Sequence, residues 1–136
     1  MASRALTDLH PFVKAKAQAF IARANDRGIV VLITATRRTP QEQEAYYDQG
    51  RSLPGKIVTN AHAADTPHCF GLAFDCVPLK ADGTADWNAP ATTWHSLYQI
   101  AEIVGLDALG DPHGEFVSWD LGHFQEPGWR LLKDVA

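Results

Sequence analysis

The stretch TPHCFGLAFD, residues 66–75, decides how this chain is read. Phe70, Leu72, Ala73 and Phe74 are residues that a strand buries, yet His68 and Asp75 stand as polar groups at its two ends. A buried carboxylate is costly unless it is paired or holds a metal. A straight chain keeps the two residues apart: a seven-residue separation is ~23 Å in a strand and ~10 Å in a helix. Two ligand atoms on one zinc ion lie only ~3–3.5 Å apart. A bend is therefore required, and Gly71 is the permissive position for it. His68 is then expected on the loop entering a strand, with Asp75 on the strand itself. Strand alternation places Asp75 on the face of Gly71 and Ala73, whose small size leaves room beside the carboxylate, and turns Leu72, Phe74 and Cys76 into the core.

A second polar pair lies further on, in WDLGHFQ, residues 119–125. Asp120 and His123 would face opposite ways in an unbroken strand, but Gly122 permits a bulge that turns both toward one place. Two histidines and one carboxylate, here His68, Asp75 and His123, are the ligand set of a catalytic zinc with water in the fourth position. Asp120 is then left free beside the ion, where an acid can take a proton from water and pass it to a leaving amine. Spacing leaves a plainer reading open, with Asp75 as a cap or turn acid, His123 as a hydrogen-bonded strand residue and Asp120 as an exposed turn residue.

The rest of the chain fits an α+β domain. Thr7 is expected to cap a helix from about Asp8 to Arg27, with Leu9, Phe12, Val13, Phe20, Ile21 and Ala24 as its apolar stripe and Gly28 as its stop. IVVLITAT, residues 29–36, reads as a central strand. Thr39-Pro40 opens a helix to about Gln49, followed by an irregular segment with a Pro54-Gly55 turn. A strand from about Gly71 to Val77 ends at Pro78. Thr92 or Thr93 is expected to cap a helix that buries Trp94, Leu97, Ile100, Ala101 and Val104 and stops at Gly105. Short β-like pieces are expected around EFVSW and HFQ.

The 136 residues are 46% hydrophobic and 21% charged, which suits one globular domain spanning 1–136. A net charge of −4, with no basic cluster beyond Arg37-Arg38, argues against nucleic acid as a partner. No segment has the ~20 apolar residues of a membrane span, and the N-terminus lacks the apolar run of a signal peptide. Synthesis in the cytoplasm is therefore expected, with Cys69 and Cys76 as free thiols rather than a disulfide.

TPHCFGLAFD resembles the S-x-H-x-x-G-x-A-x-D motif of the LAS-type zinc peptidases, and DLGH resembles their acid-x-x-His motif. This group includes D-alanyl-D-alanine carboxypeptidases, L-alanyl-D-glutamate endopeptidases and the hedgehog fold. TRRTPQEQEAYYDQGRSLPGKIVTNAHAADTPH is similar to the endolysin branch, so the likeness runs from about Thr34 to Gln125. It implies a hedgehog/DD-peptidase-like fold: a small antiparallel sheet flanked by helices, with one zinc ion in a cleft over the sheet. By the resemblance, His68, Asp75 and His123 are the zinc ligands and Asp120 the general base and acid. Arg38 binds a substrate carbonyl or carboxylate, with Arg37 as the competing assignment. Thr66, Gln43 and Tyr47 are candidate substrate-binding residues, although Gln43 and Tyr47 either shape the cleft or only pack. Thr66 stands where serine is usual, Gly122 where proline is common in the aspartate variant. Cys69 beside the ligand reads as a small buried residue rather than a further ligand, and His113 and Trp119 are candidates for the cleft lining, with a solvated loop the safer reading for His113.

The implied function is hydrolysis of peptidoglycan stem peptides by an L-alanyl-D-glutamate endopeptidase. The alternatives are a D,D-carboxypeptidase, a hydrolase of free dipeptides and a non-catalytic zinc-stabilised wall-binding module. The implied partner is the stem peptide, bound by a monomer that does not insert in membranes and reaches the cell wall only if released.

Overall fold

A computed structural model describes residues 2–110 and 120–134. Helix α1 (Pro11–Asp26) begins at His10, whose Nδ1 accepts a hydrogen bond from the Phe12 amide, and Pro11 fits the first helical turn, where no amide partner is needed. The cap is thus His10 rather than Thr7, because residues 6–8 form a separate short 3₁₀ turn. Val13, Ala17, Phe20 and Ala24 face the core. Phe12 does not: it is 54% exposed and lies under the Lys16 ammonium, 4.5 Å from its ring centre. Gly28, at φ +77°, ends the turn after α1 as the sequence suggests.

Among the described residues, four strands form one antiparallel sheet in the order β1–β2–β4–β3: β1 (Val31–Ala35), β2 (Ala73–Pro78), β3 (Asp107–Ala108) and β4 (His123–Gln125). The β-branched run expected to be central is an edge strand instead. Its outer side is partly capped by the N-terminal segment, where the Thr36 amide donates to the Ser3 carbonyl at 2.6 Å. The pairing of β1 with β2 slips between Ile33 and Ala35, leaving Thr34 at an irregular step of the ladder.

Helix α2 (Pro40–Asp48) opens with a complete capping box in which Thr39 and Glu42 exchange bonds. Helix α3 (Ala91–Val104) is capped at Pro90 with no side-chain bond, so Thr92 and Thr93 sit inside its first turn. Trp94, Leu97, Tyr98, Ile100 and Ala101 are buried along it, Val104 only partly, and Gly105 closes it in the left-handed region. A short helix α4 (Trp129–Leu132) follows β4. The core gathers between α1, α3 and one face of the sheet, where Phe20, Phe74 and Phe124 meet with ring centres 4.7–5.6 Å apart. Each such ring contributes about 1.5–3 kcal/mol through burial. Among the described residues, no helix is long and apolar enough to cross a membrane. EFVSW, His113 and Trp119 lie outside the described residues.

Candidate metal centre

The bend in TPHCFGLAFD is a 3₁₀ turn, Pro67–Phe70, capped by Thr66, whose hydroxyl accepts from the His68 amide at 3.4 Å. Gly71 ends it at φ +69°, a conformation that disfavours any side chain. A Cβ there would also press on the His10 amide nitrogen at 2.8 Å. The small size of Gly71 therefore accommodates the backbone ahead of α1, and does not open space beside Asp75 as strand alternation suggested. The chain then enters β2, which carries Asp75, and β4 places His123 directly across from it. The irregular turn before β4 holds Asp120, Leu121 and Gly122. Gly122 is needed because a Cβ would overlap the Cys76 carbonyl oxygen, and the Cys76 amide donates to the Gly122 carbonyl at 2.9 Å.

These elements bring His68, Asp75 and His123 together, with one ligand atom from each lying within 4.8 Å of the others. Asp75 Oδ1 lies 3.2 Å from His68 Nε2 and 3.0 Å from His123 Nδ1. Both histidines are buried, at 3% and 7% exposure. Burial pushes the Asp75 carboxyl up; when both rings carry a second proton, their hydrogen bonds to Asp75 outweigh that push and hold its carboxyl well below the ordinary aspartate range. Burial likewise lowers His123, and its contact with Asp75 overrides that and raises it.

The proton inventory of the two rings shows that this cluster fits a divalent cation. His68 Nδ1 donates to the Thr36 carbonyl at 2.7 Å, and His123 Nε2 donates to Gln125 Oε1 at 2.9 Å. A neutral imidazole has one N–H. With those two committed, His68 Nε2 and His123 Nδ1 are bare lone pairs facing the same carboxylate oxygen. Three electron-rich atoms converge, an arrangement satisfied by two extra protons or by one metal ion. The outward bonds to Thr36 and Gln125 are the partners that fix ring orientation in histidine metal sites. Neither partner is singled out by sequence reasoning, although Gln125, two residues after His123 on a strand, shares its face and carries a readable signal.

Asp120 is half-buried beside this cluster and shares the lining of a cavity of about 320 Å³ with Asp75. Burial pushes its carboxyl up, His123 pulls it down, and Asp75 adds to the rise, so the group lies above the ordinary aspartate range. Arg37 is exposed, whereas Arg38 is half-buried and its amide donates to the His68 carbonyl at 3.1 Å. Arg38 Nη1 donates to Gln43 Oε1 at 2.8 Å, its guanidinium lies 4.8 Å from the Tyr46 ring centre, and its Nε has no hydrogen-bond partner among the described residues. Gln43 is only 1% exposed and its amide also donates to the Ala61 carbonyl at 2.8 Å, so it ties Arg38 to the segment before His68. Tyr47 stacks on His62 with ring centres 3.6 Å apart and takes the Arg51 guanidinium at 4.0 Å. Cys69 and Cys76 are buried free thiols outside the cluster, with burial raising both.

The fold that carries this cluster is shared with solved peptidoglycan peptidases. Over 125 aligned residues, covering 82% of this chain and 75% of the relative, the sequence is 36% identical to the peptidoglycan L-alanyl-D-glutamate endopeptidase CwlK of Bacillus subtilis. The chain belongs to the LAS-type peptidoglycan peptidases. No family model matches it. The crystal structure of the L-Ala D-Glu endopeptidase ChiX of Serratia marcescens superposes with a TM-score of 0.65 at 14% identity, covering 99% of this chain and 92% of ChiX. The Zn(II) complex of the vancomycin-resistance D,D-pentapeptidase VanY, as its E175A mutant, superposes at 0.63 and 14% identity, covering 93% and 78%.

Proposed function

We propose that this protein is a zinc-dependent endopeptidase that cuts the L-alanyl–D-glutamate bond of peptidoglycan stem peptides. The observation that carries the reading is the placement of Asp120 on a cavity shared with Asp75, next to three converging ligand atoms that no donor among the described residues satisfies as neutral groups. A zinc-stabilised binding module needs the cluster but not the free acid beside it. The choice of bond rests on CwlK, whose name specifies it.

His68, Asp75 and His123 would hold the ion. Zinc, when bound, supplies a Lewis acid that makes water nucleophilic at neutral pH and polarises a peptide carbonyl. Asp120 accepts the proton of the attacking water at its carboxylate and delivers it to the departing amine nitrogen, so no amide anion has to leave. Arg38 offers a planar, permanently charged donor fork to a substrate carbonyl or carboxylate. Gln43 and Tyr46 hold that fork in place, and Thr36 and Gln125 hold the two imidazoles.

The test is mass spectrometry of purified muropeptides after incubation with the zinc-loaded protein, with and without a chelator. Release of peptides beginning at D-glutamate, abolished by the chelator, is expected. Release of free D-alanine would replace the endopeptidase with a carboxypeptidase, and unchanged muropeptides would remove the peptidase reading.

A further inference from the structure

The pairing of β1 with β2 is irregular at the step that faces the cluster. On β2, Cys76 and Asp75 are consecutive, whereas their partners on β1, Ile33 and Ala35, are two apart. Thr34 is thus the extra residue of a β-bulge, with no partner of its own in the ladder. Ile33 pairs with the core residue Cys76, so strand alternation turns Thr34 to the face of Asp75. The pairing survives on both sides of the bulge. Ala35 stays opposite Asp75, and the Thr36 carbonyl still meets His68 Nδ1 at 2.7 Å. A bulge beside a site re-aims a side chain, and the side chain re-aimed here carries a hydroxyl.

Thr34 lines the cavity of about 320 Å³ that also holds Asp75 and Asp120. It is half-buried, and among the described residues its hydroxyl makes no hydrogen bond. Other threonines use theirs within the chain. Thr36 donates to the Ala5 carbonyl at 2.9 Å and Thr84 to Asp82 Oδ1 at 2.6 Å, while the Thr39, Thr59 and Thr66 hydroxyls each accept from a backbone amide. Valine has the same branched shape and strand preference, so backbone conformation alone does not call for a hydroxyl at position 34.

The two carboxylates of the cavity already have tasks in the reading above: Asp75 is turned to the ion, and Asp120 carries the proton. Much of the remaining wall is indole. Trp94 is 2% exposed, and Trp87, at 65%, stands on the solvent side. A neutral hydroxyl therefore faces an open, largely apolar space next to the reaction centre. It both donates and accepts, so it matches a peptide group, which offers one N–H and one carbonyl. We infer that Thr34 is a substrate-binding residue whose hydroxyl hydrogen-bonds a peptide group of the stem peptide beside the bond that is cut. This rests on the stem-peptide reading and adds to it a residue outside the three ligands and Asp120.

Thr34→Val removes the hydroxyl and keeps the branched shape, whereas Thr34→Ser keeps the hydroxyl and loses a methyl. The probe is N-acetylmuramoyl-L-alanyl-D-isoglutamate. In zinc-loaded Thr34→Val, KM is expected to rise about five- to tenfold, the ordinary worth of one neutral hydrogen bond. Zinc content and the pH profile of kcat/KM should match the parent. Thr34→Ser is expected to bring KM back to within about twofold of the parent, since the bond is kept. Thr34→Ala carries the same test should Thr34→Val fail to fold. An unchanged KM without the hydroxyl, or a rise that Thr34→Ser shares, would overturn the assignment. So would a lower zinc content or a shifted pH profile, the marks of a residue acting through the cluster or through Asp120. If the parent does not cut the compound, the endopeptidase reading falls separately, and calorimetric titration decides Thr34. Binding to Thr34→Val about five- to tenfold weaker, recovered in Thr34→Ser, upholds the role; equal or absent binding overturns it.

Discussion

Asp75 on β2 and His123 on β4 are register partners across the antiparallel ladder, and Asp75 Oδ1 lies 3.0 Å from His123 Nδ1. Directly opposed residues are the closest cross-strand neighbours, so the sheet itself supplies two of the three proposed ligands. Only His68 has to be delivered by a turn. This predicts that the metal stabilises the sheet. At zinc about a thousandfold above Kd, the holo protein should be about 4 kcal/mol more stable than the chelated one. His123→Ala should lose most bound zinc and the zinc-dependent rise in Tm. Equal metal content in parent and variant, measured by elemental analysis, would remove His123 from the site.

Asp120→Asn keeps the shape of the carboxyl group and removes its basicity. It should bind zinc as the parent does and lower kcat for muropeptide hydrolysis by at least ~10². Turnover at the parental rate would show that Asp120 is no proton carrier.

Gly122→Ala tests the close approach between the Asp120 turn and β2. The added methyl would strike the Cys76 carbonyl, a backbone atom that cannot swing away. The expected cost is about 1–3 kcal/mol in denaturant unfolding, by the ordinary penalty for overpacking. Activity should fall further than stability, because the shifted segment carries Asp120 and His123. A fully stable, fully active variant would contradict the packing described for this turn.

Much of this arrangement is legible in the sequence where a single local cause acts. Gly28 and Gly105 stop helices through positive φ, and the Thr39–Glu42 capping box fixes the start of α2. The convergence of His68, Asp75 and His123 follows from one glycine bend and one short strand. What escapes local reading is tertiary. β1 has the composition of a central strand but lies at the edge, where the N-terminal segment covers it. Phe12 belongs to the apolar stripe of α1 by spacing, yet it faces solvent beneath Lys16. Gly71 serves the backbone at His10, a partner more than sixty positions away. Thr36 orients His68 through its carbonyl, a group every residue has, so its type gives no signal.

Glu44 gives a pH prediction. Its carboxylate accepts from the Ala63 amide and His62 Nδ1, both at 2.9 Å, and so ties α2 to the segment leading into His68. These bonds, led by that from Ala63, hold its carboxyl below the ordinary glutamate range. A depressed carboxyl stabilises the fold above its unfolded-state pKa and loses that contribution as pH falls through its folded value. Hydrogen exchange at Ala63 should therefore be faster in Glu44→Gln than in the parent at pH 7. The difference should vanish once the parent carboxylate is protonated in acid. A difference that persists there would assign the protection to packing.

The ion pair between Lys16 on α1 and Glu126 after β4 is the last test, and it separates charge from packing. Lys16 Nζ lies 2.7 Å from both Glu126 oxygens and 2.9 Å from the Gly105 carbonyl, joining α1, the end of α3 and the exit of β4. The Glu126 side chain is 7% exposed and that of Lys16 21%, so only the acid is deeply desolvated. Lys16→Met strands a buried carboxylate and should cost about 3 kcal/mol, the low end for a broken buried pair because Lys16 keeps some water. Glu126→Gln keeps an acceptor and should cost less. In the double variant Lys16→Met/Glu126→Gln no charge is left unpaired, so its loss should be smaller than the sum of the two single losses, and chemical denaturation reads all four corners of the cycle. Strict additivity would mean that the pair contributes nothing beyond its separate side chains, and that packing alone anchors the exit of β4.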